Sequence, residues 1–250
     1  MTTPQRIAIV GGHGKVARLL VPILVGRGRE VVPLARSEDH LIALARMGAS
    51  PRRLDIESAS VDVFAEAFEG CDAVVFAAGG GPDGNIERKR TVDLEGSTKS
   101  IAAAKAAGIT RFVQVSAIGV DQPLPAETEP VWKAYVEAKR DADAALRGSG
   151  LDWTIVRPGG LTDEPPTGLV RLAEEVERAQ VTRADVAHVL ADCLDSQASI
   201  GHQWELVGGD VPIAQALSAA TESLSPPSHR PLPAVDFVSS DALDESNGSI

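Results

Sequence analysis

Residues 6–17 read RIAIVGGHGKVA, and this stretch decides the fold class. After Arg6 the first residues are apolar and mostly β-branched, which is typical of a buried strand. Three glycines, Gly11, Gly12 and Gly14, follow at once, and apolar residues with helical spacing continue from Arg18. A strand, a glycine loop and a helix in this order are the setting in which a dinucleotide fingerprint binds a pyrophosphate. The sequence therefore predicts a nucleotide-binding α/β protein.

Each position of this loop has a predicted task. Gly11 permits the tight turn, Gly14 lets the backbone approach the pyrophosphate, and Ala17 is small enough for the helix to pack on the strand. The free N–H groups and the dipole at the start of the helix favour phosphate. We therefore expect the whole loop to contact a cofactor, through residues Gly11, Gly12, His13, Gly14, Lys15 and Val16.

Strand and helix patterns alternate along the rest of the chain. Strands are predicted at 30–35, 53–56, 72–78, 111–116 and 153–157, and helices at 37–47, 61–68, 88–107 and 130–147. This alternation predicts a Rossmann-type doubly wound parallel sheet with helices on both faces. Ligands of such sheets bind at the carboxyl ends of the strands. Besides the glycine loop, the residues expected there are Asp55, Ile56, Ala77, Ala78, Gly79, Val115, Ser116, Pro158, Gly159 and Gly160.

Beyond residue 161 the pattern is weaker. It predicts helices at 170–178, 183–194 and 213–224 and a strand at 203–207. We interpret 1–224 as one nucleotide-binding domain in which about 162–224 form a small C-terminal lobe. Residues 225–250 are rich in Pro, Ser and acidic residues, so they are predicted to be a flexible tail.

Composition narrows the classes of partner. The net charge of −11 disfavours nucleic acid and anionic membranes. No signal peptide or apolar span is visible, so a cytoplasmic protein acting on a small molecule, as a monomer or homodimer, is expected. Cys71 and Cys193 are far apart and are expected to be buried thiols. The five histidines form no ligand cluster, so we expect no metal site.

The chain has one tyrosine, Tyr135, and Lys139 follows it by four residues on a predicted helix. A free phenol has a pKa of about 10, and roughly 4 kcal/mol would bring it to about 7. One cation about 4 Å away supplies about that much at an effective dielectric of about 20. The spacing is thus suited to acid–base catalysis, although a surface pair on one helix face would look the same.

The end of the second strand indicates the cofactor. NAD-selective sites place Asp or Glu there, but this chain has Arg36 and Ser37. A guanidinium is suited to a 2′-phosphate, and His13 and Lys15 could add donors to it. Glu38 argues against this, and a solvated Arg36 is the alternative. We expect NADP (NADPH) to be preferred over NAD.

Several segments together resemble one known family. They are GGHGKVA at 11–17, AAG at 77–79, VSAIG at 115–119, YVEAK at 135–139 and VRPGGLTDEP at 156–165. The chain resembles atypical short-chain dehydrogenases/reductases over about residues 5–220. The most similar subgroup is the NAD(P)H-binding proteins often labelled epimerases or NADH-flavin reductases, related to biliverdin-IXβ reductase and to NmrA-like proteins.

The resemblance implies roles for individual residues. Tyr135 and Lys139 match the family's catalytic YxxxK motif, and Ser116 matches its upstream serine. The family's usual asparagine is replaced by Asp93, which puts the asparagine-mediated proton relay in doubt. Asp55 matches an acid that accepts a hydrogen bond from the adenine amino group.

These patterns lead to a function with two alternatives. We expect an NADP-dependent oxidoreductase that transfers hydride to a small carbonyl, flavin or quinone-like acceptor. Tyr135 would protonate the acceptor oxygen and Ser116 would hydrogen-bond it. Lys139 would lower the Tyr135 pKa and bind the nicotinamide ribose of the cofactor. One alternative is a non-catalytic NADP(H) sensor of the NmrA-like kind. The other is a sugar-nucleotide epimerase or dehydratase, for which the C-terminal lobe is small.

Overall fold

A computed structural model describes residues 3–81 and 84–222. Within these ranges a nine-stranded sheet is built from nine segments: β1 (Arg6–Val10), β2 (Glu30–Ala35), β3 (Arg52–Arg53), β4 (Ala73–Phe76), β5 (Arg111–Val115), β6 (Asp152–Pro158), β8 (Leu169–Ala173), β10 (His202–Gly208) and β11 (Val211–Pro212). Two further strands, β7 (Gly160–Thr162) and β9 (Gln180–Thr182), pair with each other in a separate small sheet.

The order of strands across the large sheet is β11-β8-β10-β6-β5-β4-β1-β2-β3. From β10 to β3 all neighbours are parallel, while β8 is antiparallel to β10 and to β11. The sheet is therefore a mostly parallel, doubly wound Rossmann-type sheet with a mixed edge. The chain moves from β1 to β2 on one side and returns through β4 on the other. Such a switch point opens a crevice at the strand ends, next to the glycine loop.

Helices cover both faces of the sheet. They are α1 (Lys15–Gly26), α2 (Glu38–Ala45), α3 (Val61–Ala67), α4 (Ile86–Arg88), α5 (Glu95–Ala106), α6 (Pro130–Arg147), α7 (Arg183–Asp195) and α8 (Ile213–Glu222). One buried cluster joins α1, α2, α7 and α8 to the sheet, and a second joins α3, α5 and α6 to its other face. Among the described residues, none of the helices is both long and apolar enough to cross a membrane.

The fold corrects three of the sequence predictions. Residues 170–178, predicted as a helix, contain strand β8 and an irregular segment. Val170 and Leu172 are buried in alternation, and β10 offers this strand backbone partners, so pairing overrides the helical propensity of the sequence. The predicted helix at 88–107 contains a π-helix, Lys89–Leu94, and the predicted third strand lies earlier, at Arg52–Arg53. The predicted flexible tail, 225–250, lies outside the described residues.

Candidate functional site

A cleft of about 280 Å³ lies at the carboxyl ends of β1, β2 and β4, where the switch point predicts a ligand site. It has walls from the glycine loop, from the start of α2 and from the segment after β3. Its lining residues are Gly11, His13, Gly14, Leu34, Ala35, Arg36, His40, Leu54, Asp55, Ile56, Glu57, Ala77, Ala78, Gly79, Arg88 and Val92. The structure thus brings together nine of the predicted cofactor-binding residues, Arg36 among them.

The glycines of the loop have different tasks. Gly11 has a φ of 77°, and a Cβ there would lie 2.7 Å from the Cα of Ala78. A Cβ on Gly12 would lie 2.5 Å from the Cβ of Pro33, so Gly12 lets the loop pack on β2. Gly14 has a φ of −63°, which any residue adopts, and its Cβ would come no closer than 3.1 Å to its neighbour, the Gly11 carbonyl oxygen. Gly11 and Gly12 are therefore required by the fold, whereas Gly14 is not.

The first turn of α1 is suited to an anion. Gly14 is the N-cap of α1 and provides no side-chain acceptor, so the first N–H groups of the helix are available to a ligand. The side chain of Val16 is buried in the core, so its predicted contact with the cofactor would be made by its backbone N–H and stays a prediction. Backbone N–H groups without an intrahelical partner, next to a glycine that leaves space in front of them, suit the binding of a pyrophosphate.

Lys15 points across the mouth of this loop. Its Nζ is 2.6 Å from Oδ2 of Asp163, and Nη1 of Arg183 is 2.7 Å from Oδ1 of the same carboxylate. The two cations hold the pKa of the exposed Asp163 below its ordinary value, with the Lys15 hydrogen bond as the largest cause. Lys15 is thus paired with Asp163, and its predicted role as a donor to the 2′-phosphate stays a prediction.

The other end of the cleft carries Arg36, which is exposed at the end of β2. Ser37 is the N-cap of α2, where its Oγ accepts from the His40 N–H at 3.4 Å. Glu38, the residue that argued against a phosphate here, is 2.5 Å from Nη2 of Arg53. Arg53 also donates to the Arg36 carbonyl oxygen at 3.2 Å. A second guanidinium therefore stands beside Arg36 and neutralises the nearby carboxylate.

Lys139, on α6, is almost fully buried and donates to the carbonyl oxygen of Ala78, a residue that lines the cleft. Its Nζ donates to the carbonyl oxygens of Ala78 at 3.3 Å and Val115 at 3.2 Å, and lies 3.2 Å from Oδ1 of Asp93. Burial favours the neutral amine, but Asp93, together with Tyr135 and Asp143, outweighs burial and raises the pKa of Lys139. The ammonium is thus fixed between the ends of β4 and β5 as one half of a buried ion pair.

Asp93 owes its position to the π-helix that precedes α5. Its side chain is fully buried, and its Oδ2 accepts from the Gly80 N–H at 2.8 Å. A Cβ on Gly79 or Gly80 would lie 3.2 or 3.1 Å from this carboxylate, so the glycines after β4 leave room for it. Short π-helical segments often mark functional sites, and this one places a carboxylate against Lys139.

Tyr135 is half-buried one turn before Lys139 on α6. The ring centroid of Tyr135 lies 6.0 Å from Nζ of Lys139, 6.0 Å from Nζ of Lys89 and 5.3 Å from the ring centroid of Trp132. Burial raises the pKa of Tyr135; Lys139 acts in the opposite direction, and Asp93 raises it further. In the protein without cofactor, the lowering of the Tyr135 pKa expected from Lys139 is therefore outweighed, and the phenol is protonated at neutral pH.

Ser116 follows β5, and its side chain is hydrogen-bonded to Asp143 on α6. Its Oγ donates to Oδ2 of Asp143 at 2.7 Å, and Gln114 Nε2 donates to the other oxygen of Asp143 at 2.7 Å. Nε of Arg157 donates to Asp143 at 2.9 Å. Burial raises the pKa of Asp143, although Arg157 and the hydrogen bonds act in the opposite direction. The Ser116 proton thus points to Asp143, and its predicted bond to an acceptor oxygen stays a prediction.

The glycines after β6 pack against protein rather than line the cleft. A Cβ on Gly159 would lie 2.2 Å from the carbonyl oxygen of Ala179, and Gly160 donates to that oxygen at 3.0 Å. The carbonyl oxygen of Pro158 accepts from the Ile118 N–H at 3.1 Å. The Ala179 contacts join the end of β6 to the C-terminal lobe, and the Ile118 contact joins it to the segment after β5. Cofactor contacts by residues 158–160 stay a prediction.

Some residues of the site escaped the sequence reading. Asp143 lies four positions after Lys139, so the spacing that paired Tyr135 with Lys139 could have placed it on the same helix face. Arg53 and His40 gave no such signal, because their proximity to Arg36 depends on how α2 and β3 pack.

No group of three or more His, Cys, Asp or Glu side chains suited to a metal occurs among residues 3–81 and 84–222. Both cysteines are buried free thiols, as predicted, and burial raises the pKa of Cys193 to about 12. Neither thiol is therefore in a state for nucleophilic chemistry near neutral pH.

Comparisons with known proteins agree with this geometry. A family model described as NAD(P)H-binding matches residues 11–197. The uncharacterized sugar epimerase YhfK of Bacillus subtilis (strain 168) is 36% identical over 218 residues, covering 85% of this chain and 99% of YhfK.

Two solved structures are also similar. A protein of Bacillus halodurans, provisionally named an NAD-dependent epimerase/dehydratase, has a TM-score of 0.79 at 39% identity and covers 86% of this chain and 99% of its own. The oxidoreductase ylbE of Lactococcus lactis has a TM-score of 0.76 at 29% identity, with coverage of 87% and 97%. The names of these relatives thus point to two chemistries, epimerisation and redox transfer.

Proposed function

Because the chain belongs to the NAD(P)H-binding family of atypical short-chain dehydrogenases/reductases, we propose that it is an NADP-dependent oxidoreductase. It transfers hydride to a small carbonyl, flavin or quinone-like acceptor. One observation carries the proposal: Lys139 donates to the carbonyl oxygen of Ala78, a residue that lines the cofactor cleft. The acid–base pair of α6 therefore adjoins the site where a dinucleotide fits.

NADP is favoured over NAD by the charges at the far end of the cleft. The Arg36 guanidinium is exposed there, and Glu38 is engaged by Arg53. A 2′-phosphate would meet a fork of donors rather than a free carboxylate, and each charge-assisted hydrogen bond contributes about 1.5–3 kcal/mol. Ser37 can add a hydroxyl donor without leaving its capping position.

The bound nicotinamide would supply the hydride, and the residues of the chain handle the proton. Tyr135 carries its proton at neutral pH because burial raises its pKa. It is thus ready to donate to an oxygen that gains negative charge, which favours reduction of an acceptor over oxidation of an alcohol. The Lys139 ammonium stabilises the phenolate that remains, and Asp93 holds Lys139 in place.

A second candidate function has its own support. The Asp93 carboxylate cancels much of the Lys139 charge, and the Ser116 hydroxyl donates its hydrogen bond to Asp143. A protein that binds NADP(H) as a sensor, without turnover, would tolerate both features. The enzyme is preferred because a sensor has no need of a phenol and an ammonium beside the cleft.

Turnover tests the two candidates directly. NADPH oxidation is followed by absorbance with flavins, quinones and small carbonyls, using the wild type and Tyr135→Phe. We expect one acceptor class to support turnover, and the variant to bind NADPH normally but turn over about 10²–10⁴-fold more slowly. Normal NADPH binding without turnover on any class would favour the sensor. Full activity of Tyr135→Phe would assign the proton to solvent and remove the proposed role of the phenol.

A further inference from the structure

Two histidines stack face to face in the wall of the cofactor cleft. The ring centroids of His13 and His40 are 3.7 Å apart, and the ring planes differ by 9°. His13 belongs to the glycine loop and His40 to the first turn of α2, and both are half-buried. Both also line the cleft together with Arg36. The stack therefore joins the pyrophosphate end of the cleft to the end where Arg36 lies.

The surroundings of the stack keep His13 neutral. Burial, then the neighbouring His40 and then Arg18 lower the pKa of His13 below its ordinary value. Several other charged groups lie around the stack, and most of them form ion pairs with one another. The pairs are Glu38 with Arg53, Glu57 with Arg88 and Lys15 with Asp163. The remaining charged groups are Asp39, Asp55 and Arg36. A bound anion would favour the charged form of an imidazole in this stack, so anion binding there would be coupled to the uptake of a proton.

We propose that His13 and His40 complete, with Arg36, the site for the 2′-phosphate of NADP(H), and that one imidazole takes up a proton as the phosphate binds. This rests on the proposed function and assigns it a pH-dependent choice of cofactor. The proton comes from solvent and converts an imidazole to an imidazolium, so no redox step is involved. NADH, which has no 2′-phosphate, would bind without this proton.

The sign of the effect follows from linkage. A bound phosphate favours the charged imidazole, so the pKa in the complex lies above the lowered value of the free protein. Between these two pKa values, NADPH binding strengthens as pH falls, by up to about tenfold per pH unit. Above the pKa of the complex the preference is constant, because both imidazoles stay neutral, and it rests on Arg36 and Ser37. The NADPH-to-NADH affinity ratio should therefore rise as pH falls through the range near neutrality.

Calorimetric titration with NADPH and NADH, in buffers of different ionisation enthalpy, measures the proton directly. Binding of NADPH at about pH 6.5 should take up a net fraction of a proton. Binding of the dianion without histidine would instead release protons, because the phosphate has its own pKa near about 6. His13→Asn and His40→Asn should each abolish the uptake and flatten the ratio with pH, whereas the matched control His188→Asn, on α7, should change neither. Thermal melting of each variant confirms that it is folded.

The outcomes separate the two proposals. Tighter binding of NADPH than NADH with no proton uptake, and a ratio that does not change between about pH 6 and pH 8.5, would overturn the histidine site and leave the proposed function standing. Uptake that persists in both histidine variants would also overturn it. Failure of both nucleotides to bind would overturn the proposed function itself.

Discussion

Gly14 separates cofactor binding from folding, and Gly14→Val tests that separation. The φ of −63° at Gly14 suits an L-residue, and a new Cβ would come within 3.1 Å of the Gly11 carbonyl oxygen and 3.6 Å of the Ala77 carbonyl oxygen. Valine is a poorer N-cap than glycine, which destabilises the folded protein, but it also restricts the backbone of the unfolded chain, which has the opposite effect on stability. We therefore expect the free energy of unfolding to change by no more than about 1 kcal/mol.

The effect on binding should be far larger. The new side chain would enter the space beside the first N–H groups of α1, where the pyrophosphate is expected. Loss of about two charge-assisted hydrogen bonds costs roughly 3–6 kcal/mol, which weakens NADPH binding by about 10²–10⁴-fold. A change of this size is well beyond what a small loss of stability could cause.

Titration calorimetry and thermal melting of three variants provide the assay. Gly26→Val is the matched control, since a Cβ at Gly26 meets nothing within 4 Å. Gly11→Val should fail to fold, because its φ is 77° and its Cβ would lie 2.7 Å from the Cα of Ala78. Wild-type affinity for NADPH in a folded Gly14→Val protein would refute the reasoning, and so would loss of cooperative unfolding in that variant.

Three further predictions concern charge. Arg36→Ala should weaken NADPH binding by about tenfold or more and leave NADH unchanged, and an equal loss for both nucleotides would contradict the assignment. Asp93→Asn removes a carboxylate that raises the Tyr135 pKa, so ultraviolet titration of this single tyrosine should show a lower pKa than in the wild type; an unchanged pKa would dismiss Asp93 as a cause. Hydrogen bonds, chiefly from backbone N–H groups, outweigh burial and lower the pKa of Asp185. Asp185→Asn should therefore lower the free energy of unfolding by about 1.5–3 kcal/mol at neutral pH. Denaturant titrations should show this loss above about pH 4 and find that it disappears as pH falls through the depressed pKa of Asp185. A loss that does not change with pH would refute the prediction.

Local sequence patterns were sufficient to predict the site residues that lie at the carboxyl ends of the strands. The strand, loop and helix of residues 6–26 have strong local signals, and parallel strands bring their carboxyl ends to one edge. That is why the glycine loop, Asp55 and the segment 77–79 meet in one cleft as predicted. The helix face shared by Tyr135 and Lys139 followed from spacing alone.

Features that depend on packing escaped the same reasoning. The segment at 170–178 forms a strand because β10 is beside it, and nothing local shows that neighbour. The spacing suggested that Lys139 would lower the Tyr135 pKa, because spacing shows the lysine but not how deeply the phenol is buried. Similarly, the direction of the Ser116 proton depends on Asp143, whose burial follows only from the packed helix.

A crystal structure with NADP⁺ bound tests the central claim most directly. The account predicts the pyrophosphate at the start of α1, the 2′-phosphate beside Arg36 and the stacked His13 and His40, and the nicotinamide ring beside Tyr135 and Lys139. A nucleotide bound in the cleft with its nicotinamide directed away from Tyr135, or bound outside the cleft altogether, would contradict it.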